Sequence, residues 1–175
     1  MKAVAFTGYR PEKLGFRESA DDNMYLKFRS LQKRVINRLV ELGYTDFISG
    51  MARGFDMWVA EDVCELKKEN SEVKLISAIP FDRQASSWTD EEKERYEKIK
   101  TQADEIVVTS PSYTKGCFHK RNRYMVDNAD VVVCCFDGKP GGTAYTVDYA
   151  LKKDKVVIQI DPEKLVVSII SERKI

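Results

Sequence analysis

The chain has 175 residues, of which 43% are hydrophobic and 33% charged, and its formal net charge is +1. This composition is typical of a soluble globular protein, and the length predicts one domain over residues 1–175 with a core of its own. A near-neutral charge argues against a broad nucleic-acid surface. Because the chain has neither an apolar run long enough to span a bilayer nor an apolar signal segment, we expect a cytoplasmic protein without a membrane partner.

The sequence has few residues of the kinds that bind metal ions or carry out redox chemistry. None of the four cysteines belongs to a C-x-x-C pair, and His119 is the only histidine. We therefore predict buried thiols, no metal site and no cofactor. Only Cys117, which has Lys115 and Lys120 nearby, has neighbours that favour a thiolate.

Strand-like and helix-like segments alternate along the chain. The predicted elements are strand 3–7, helix 22–42, strand 46–49, helix 55–68, strand 73–79, helix 90–101, strand 105–108, helix 115–128, strand 131–136, helix 144–153 and strand 155–160. Residues 165–175 are predicted to add a last helix or an edge segment. Alternation with continuously apolar strands predicts an α/β fold, a doubly wound and mostly parallel sheet with helices on both faces. In such sheets ligands bind beyond the carboxyl ends of the strands, where the topology changes direction.

Three glycine-containing loops follow predicted strands and should therefore meet at one edge of the sheet. They are residues 7–11, 50–56 and 137–143. Glycine lets a ligand approach the backbone, and an arginine fork binds phosphate at two points. Each loop alone is ordinary turn chemistry, and Arg10 and Arg53 alone are ordinary surface arginines. Together the loops predict a groove for a phosphate or a ribose.

The turn Pro140-Gly141-Gly142-Thr143 is the most informative of these loops. It leads from a strand into a predicted helix, whose first N–H groups are unpaired and whose dipole favours an anion. No G-x-G-x-x-G follows the first strand and no G-x-x-x-x-G-K-[ST] occurs, which argues against a dehydrogenase and against an ATPase. The turn therefore predicts a phosphate site outside those two classes.

Five motifs together resemble the YpsA-like family of the SLOG superfamily. They are Thr7-Gly8-Tyr9-Arg10-Pro11, Gly50-Met51-Ala52-Arg53-Gly54-Phe55-Asp56, Ile79-Pro80-Phe81, Arg121-Asn122-Arg123-Tyr124-Met125-Val126 and Gly138-Lys139-Pro140-Gly141-Gly142-Thr143. That superfamily also holds the LOG phosphoribohydrolases and the DprA-like proteins. The resemblance implies a Rossmann-like fold in a bacterial or phage protein that binds nucleotide-derived ligands such as ADP-ribose and NAD relatives. The LOG relatives further imply a homodimer.

The LOG enzymes carry R-K-x-x-M and P-G-G-x-G-T-x-x-E, and this chain matches them only in part. The arginine falls on Arg121 and the glycine pair on Gly141 and Gly142, but Asp148 replaces the final glutamate and Asn122 the lysine. Ala144 and Tyr145 also depart from the pattern. Asp148 is one methylene shorter than glutamate, and misplacement by about 1 Å can cost about 10²-fold in rate.

Two alternatives stay open for these side chains. Asp148 either stabilises positive charge on a ribose as the base departs, or is a polar position beside a packed helix face. Arg121 either contacts phosphate or ribose, or belongs to a solvated basic cluster with Lys115, Lys120 and Arg123.

Aromatic residues that follow the predicted strands offer a surface for a base. Tyr9, Phe81, Trp88 and Tyr113 can stack on a purine or else close the core at the bases of the loops. Arg83 and Gln84, in the polar loop that begins at Phe81, are further candidate contacts.

We predict a protein that binds ADP-ribose, an NAD derivative or a mononucleotide at the carboxyl ends of the strands, as a sensor, regulator or sequestering protein. The alternative is an N-glycosidic hydrolase that uses Arg121 and Asp148 as catalytic residues. The near-neutral charge disfavours a DprA-like single-strand binder. The predicted ligand-binding residues are Thr7, Gly8, Tyr9, Arg10, Gly50, Arg53, Gly54, Asp56, Phe81, Arg121, Gly141, Gly142 and Thr143.

Overall fold

The computed structural model describes residues 2–170. Its strands are β1 (Ala3–Gly8), β2 (Asp46–Ser49), β3 (Lys74–Ile79), β4 (Glu105–Val108), β5 (Val131–Cys135), β6 (Val156–Asp161) and β7 (Val166–Ile170). Its α-helices are α1 (Asn23–Glu41), α2 (Phe55–Glu69), α3 (Asp90–Lys100), α4 (Cys117–Asp127) and α5 (Gly142–Lys152). A short 3-10 turn spans Pro11–Lys13.

The strands form one sheet in the order β4-β3-β2-β1-β5-β6-β7. The pairs among β1 to β6 are parallel, and β7 pairs with β6 in the antiparallel direction. This confirms the predicted α/β, doubly wound, Rossmann-like fold. The chain builds outward from β1 to β4 and then returns to β5 on the other side of β1. The topological switch point therefore lies between the carboxyl ends of β1 and β5.

Helix caps and glycines explain where the helices begin. The Asp22 carboxylate accepts hydrogen bonds from the N–H groups of Met24 and Tyr25 at the start of α1. Helix α5 begins at Gly142, two residues before the predicted start, because Gly141 is its N-cap residue. The predicted C-terminal segment forms the edge strand β7, and residues 171–175 of that prediction lie outside the described residues.

Two apolar layers cover the sheet and hold the strand ends in place. One joins Phe6 and Phe47 of the sheet to Phe28, Phe55 and Trp58 of α1 and α2. The other packs β5 against α4 and α5. The cysteines are buried and free, as predicted: Cys64, Cys117, Cys134 and Cys135. Within residues 2–170, the helices are too short or too polar to cross a membrane.

Candidate functional site

A cleft of about 350 Å³ opens at the switch point, and we call it the switch-point cleft. It lies between the loop after β1, the beginnings of α2 and α5, and one side of α4. Its lining residues are Thr7, Gly8, Tyr9, Arg10, Glu12, Lys13, Ala52, Asp56, Phe118, Arg121, Asn122, Gly142 and Thr143. Members of all three predicted loops therefore lie in one concavity. The volume falls in the range of small-molecule sites, roughly 300–1,000 Å³.

The N-terminus of α5 opens into this cleft. Its N-cap residue Gly141 has a φ of 152°, and no side chain caps the first turn. A Cβ added to Gly142 would meet no atom within 4 Å, whereas one added to Gly141 would lie 2.7 Å from Nζ of Lys13. An ammonium group thus stands beside uncapped N–H groups, and both favour an anion there.

Two threonines of the cleft wall offer hydroxyls to a ligand. Thr7 and Thr143 are only 7% and 8% exposed, respectively. In the described part of the chain, neither hydroxyl hydrogen-bonds to another protein group, although both residues line the cleft. Both hydroxyls are therefore available to form hydrogen bonds with a polar ligand in the cleft.

Arg121 is buried, and the alternative that placed it in a solvated basic cluster is wrong. It is 4% exposed, and its Nη1 donates to the backbone carbonyls of Gly50 and Ala78, the latter at 3.4 Å. Its Nε donates to Oδ1 of Asn122 at 2.8 Å. Burial lowers the pKa of Arg121, and the charge of Asp56 opposes this effect. The guanidinium therefore ties the ends of β2 and β3 to α4, and among residues 2–170 its Nη2 bonds to no protein acceptor.

Asp56 lies at the bottom of the cleft in the first turn of α2 and is 5% exposed. Burial raises its pKa to about 6, against the opposing charges of Arg121 and Arg10 and the backbone N–H groups of Ala52 and Gly8. The protein's own carboxylate thus engages the N–H groups of Gly8, at the end of β1, and of Ala52, after β2. A ligand anion is consequently directed to the other glycine turn, at α5.

Tyr9 is held in the cleft wall by a polar pair. Its hydroxyl donates to Oδ1 of Asp137, whose other oxygen lies 2.6 Å from Nζ of Lys139. Burial opposes ionisation of Asp137, but the hydrogen bonds from Lys139 and Tyr9 outweigh it and lower the pKa to about 2. Nζ of Lys13 lies 5.5 Å from the centre of the Tyr9 ring. The ring therefore forms a fixed wall under a cation.

Several predicted site residues do not line the cleft. Arg53 pairs with Glu12 and Glu92, and a Cβ on Gly54 would lie 2.7 Å from the Tyr9 carbonyl oxygen. Gly50 packs against Arg121, and Gly141 is the N-cap residue of α5. Phe81 lines an adjoining cavity, and Asp148 is half-buried on α5. Their contacts with a ligand stay predictions.

The cleft also has five lining residues that were not among the predicted ligand-binding residues. They are Glu12, Lys13, Ala52, Phe118 and Asn122. Helical spacing from Arg121 was an available signal for Phe118, three residues earlier on the same helix face. Lys13 lines the cleft because the 3-10 turn that begins at Pro11 folds the chain back toward Tyr9. The described residues contain no cluster of three or more histidine, cysteine or acidic side chains suited to a metal ion.

Comparison with known families and sequences places these features in context. A YpsA family model, described as the YspA SLOG family, matches residues 4–165. A UPF0398 protein of Bacillus cereus strain ATCC 14579 is 31% identical over 159 residues, which cover 89% of this chain and 86% of that protein. A UPF0398 protein of Bacillus thuringiensis strain Al Hakam is 30% identical over 159 residues, which again cover 89% of this chain and 86% of that protein.

Solved structures with a similar fold come from DNA processing protein A. The protein from Streptococcus pneumoniae has a TM-score of 0.59 and 16% identity, and covers 91% of this chain. The protein from Helicobacter pylori, described with a single-stranded DNA binding mode, has a TM-score of 0.61, 21% identity and the same coverage. This chain spans 50% and 65% of those two chains. At these identities the likeness shows the fold alone.

Proposed function

The chain belongs to the YpsA family of SLOG proteins, and on that premise we propose that it binds a nucleotide-derived small molecule in the switch-point cleft. ADP-ribose, an NAD derivative and a mononucleotide are the ligands of this class. The protein then acts as a sensor, regulator or sequestering protein, which holds its ligand without converting it.

One observation carries this proposal: donors without protein acceptors lie in the same cleft as the uncapped N-terminus of α5. The hydroxyls of Thr7 and Thr143 and the Nη2 of Arg121 border the same cleft, where residues 2–170 supply them no acceptor. Lys13 and Arg10 add positive charge, and within those residues neither forms an ion pair with a carboxylate. A phosphate group supplies the negative charge and the acceptor oxygens that this arrangement lacks.

The test is calorimetric titration of the full chain with ADP-ribose, NAD and AMP. We expect saturable binding that Gly142→Val weakens at least about tenfold, since the valine blocks N–H groups whose hydrogen bonds to an anion are worth roughly 1.5–3 kcal/mol each. Space for the new side chain exists, because a Cβ on Gly142 meets no atom within 4 Å. Gly15→Val is the matched control, at a glycine with equally open surroundings outside the cleft. Absence of binding at millimolar ligand, or equal binding by both variants, contradicts the proposal.

Hydrolysis of the N-glycosidic bond stays a prediction that the same samples test. Arg121 lines the cleft, whereas Asp148 follows Gly142 by six residues along α5 and is not among the lining residues. The carboxylates that line the cleft are Glu12, which pairs with Arg53, and the buried Asp56. Chromatography of the AMP titration after long incubation distinguishes retained nucleotide from free base and ribose 5-phosphate.

Single-stranded nucleic acid is the second candidate, and one surface favours it. Lys115, Lys120 and Arg123 lie around the N-terminus of α4, and in the described part of the chain they form no ion pair with a carboxylate. The related fold from Helicobacter pylori is described as binding single-stranded DNA. A labelled oligonucleotide separates the two functions, because phosphate-backbone binding falls steeply with salt. Such binding should respond to Lys120→Gln and not to Gly142→Val.

A further inference from the structure

A second cavity adjoins the switch-point cleft on the far side of Arg10. It has a volume of about 270 Å³ and lies between the loop after β3 and the segment before α4. Arg10, Ala52 and Phe118 line both spaces. A single elongated ligand can therefore place one end in each. We call this second cavity the aromatic compartment.

Three aromatic rings form one side of the aromatic compartment. The centre of the Phe81 ring lies 5.7 Å from that of Tyr113 and 6.0 Å from that of Phe118, both in edge-to-face geometry. Tyr113 is 67% exposed, a large fraction for so bulky a ring. Aromatic rings that open onto a cavity provide stacking surface for a flat ligand ring.

A buried amide supplies a specific polar contact in the same compartment. Gln84 is 8% exposed, and its Nε2 donates to the carbonyl oxygen of Met51 at 3.3 Å and to that of Gly50 at 3.5 Å. Among residues 2–170, its Oε1 accepts no hydrogen bond. Because the backbone carbonyls fix the amide through its N–H side, the oxygen is the atom left for a ligand. An N–H donor on the edge of a flat ring is its complement.

The charges around the compartment favour a ring with an attached anion. Arg10 and Arg83 line it, and none of its lining residues is acidic. Arg10 lies 5.7 Å from the centre of the Phe118 ring, at the boundary with the switch-point cleft. A phosphate at α5 and a base in the aromatic compartment would thus lie on opposite sides of one arginine.

From these contacts we infer that the aromatic compartment binds the base of the nucleotide, and that Gln84 selects a base with an exocyclic amino group. This inference rests on the proposed function and adds the ligand class: a nucleotide with an amino-bearing base rather than a sugar phosphate. Tyr113 and Phe118 contribute stacking, and the Gln84 Oε1 accepts from the amino group.

The experiment compares AMP, purine riboside 5′-monophosphate and ribose 5-phosphate by calorimetry on the full chain. The purine riboside nucleotide carries hydrogen in place of the amino group of AMP and has no N–H donor on that edge, and ribose 5-phosphate lacks the base. We expect AMP to bind at least about tenfold more tightly than either, because the Gln84 acceptor stays unpaired with the purine riboside nucleotide and base stacking is lost with the sugar phosphate. Tyr113→Ala should weaken AMP about tenfold and leave ribose 5-phosphate unchanged, and Tyr113→Phe should retain AMP binding.

The outcomes separate the two proposals. Equal affinities for the three ligands, together with an AMP affinity that Tyr113→Ala does not change, overturn the base assignment. If Gly142→Val still weakens AMP binding when the base assignment fails, the proposed function stands without the base assignment. Failure of AMP, purine riboside 5′-monophosphate and ADP-ribose alike to bind the wild-type chain overturns both. Since Tyr113 is exposed, its replacement should leave the thermal unfolding midpoint unchanged, and this is measured alongside.

Discussion

Arg53 and Arg121, both predicted to contact a ligand, occupy different positions in the fold. Arg53 lies between Glu12 and Glu92, which are 41 and 39 residues away in the chain. Arg121 donates to carbonyls at Gly50 and Ala78, which are 71 and 43 residues away. The sequence predicts that glycine loops meet at one sheet edge, but not which arginine faces the cleft. Partners so distant in sequence leave no local pattern.

Asp56 is the residue for which pH dependence can be predicted. Its pKa is raised from 3.8 to about 6, so the folded state holds this proton more tightly than the unfolded chain. The resulting stabilisation is fully present below pH 4 and is lost as the pH rises through 6. Asp56→Asn removes that dependence. We expect the free energy of unfolding of the variant, relative to wild type, to rise by up to about 3 kcal/mol between pH 4 and pH 7.

Urea unfolding of both proteins across this pH range measures the difference. Asp82→Asn is the control, because Asp82 is exposed. Parallel profiles for Asp56→Asn and wild type would show that the buried carboxyl does not titrate in this range. Burial of the carboxyl sets the direction of the change, and the charges of Arg121 and Arg10 reduce its size.

At the scale of elements, two strand–glycine–helix units on either side of β1 both reach the switch-point cleft but serve different purposes. Helices α2 and α5 both begin after a glycine N-cap with no side-chain cap. The first turn of α2 carries Asp56 and lies against the loop after β1, whereas that of α5 is open. The sequence predicted the first residue of α2 correctly. It predicted α5 two residues late, because glycines signal a turn in sequence even where they begin a helix.

Gly54 should be intolerant of any side chain. Its φ is 84°, and an added Cβ would lie 2.7 Å from the Tyr9 carbonyl oxygen. We expect Gly54→Ala to lower the free energy of unfolding by about 1–3 kcal/mol from backbone strain, with a further loss from the contact. Gly15→Ala, where an added Cβ meets nothing within 4 Å, should change it little. Urea unfolding at pH 7 compares the two, and equal values would contradict the structural role of Gly54.

At the scale of the whole molecule, burial declines from the centre of the sheet to its edges. The residues of β2 and β5 are all buried, whereas those of β4 and β7 are mostly exposed. Continuous apolar runs made the central strands and their parallel direction predictable from sequence, whereas the order of the strands in the sheet was not predicted. The antiparallel direction of β7 was not predictable from sequence. An edge strand of this length has no residue pattern that distinguishes it from a short helix.

Hydrogen exchange should report both the sheet order and the ligand site. We expect the slowest amide exchange in β1, β2 and β5 and faster exchange in β4 and β7, since opening an edge strand exposes less buried surface. Saturating ADP-ribose should add protection to peptides that contain residues 7–13 and the first turn of α5, and none to β7. The binding energy is local to the switch-point cleft, and β7 is separated from β5 by β6. Mass spectrometry of the free and liganded chain makes the comparison, and Gly142→Val at the same ADP-ribose concentration should show less added protection. Protection spread evenly over the sheet, or concentrated at β7, would place the ligand elsewhere.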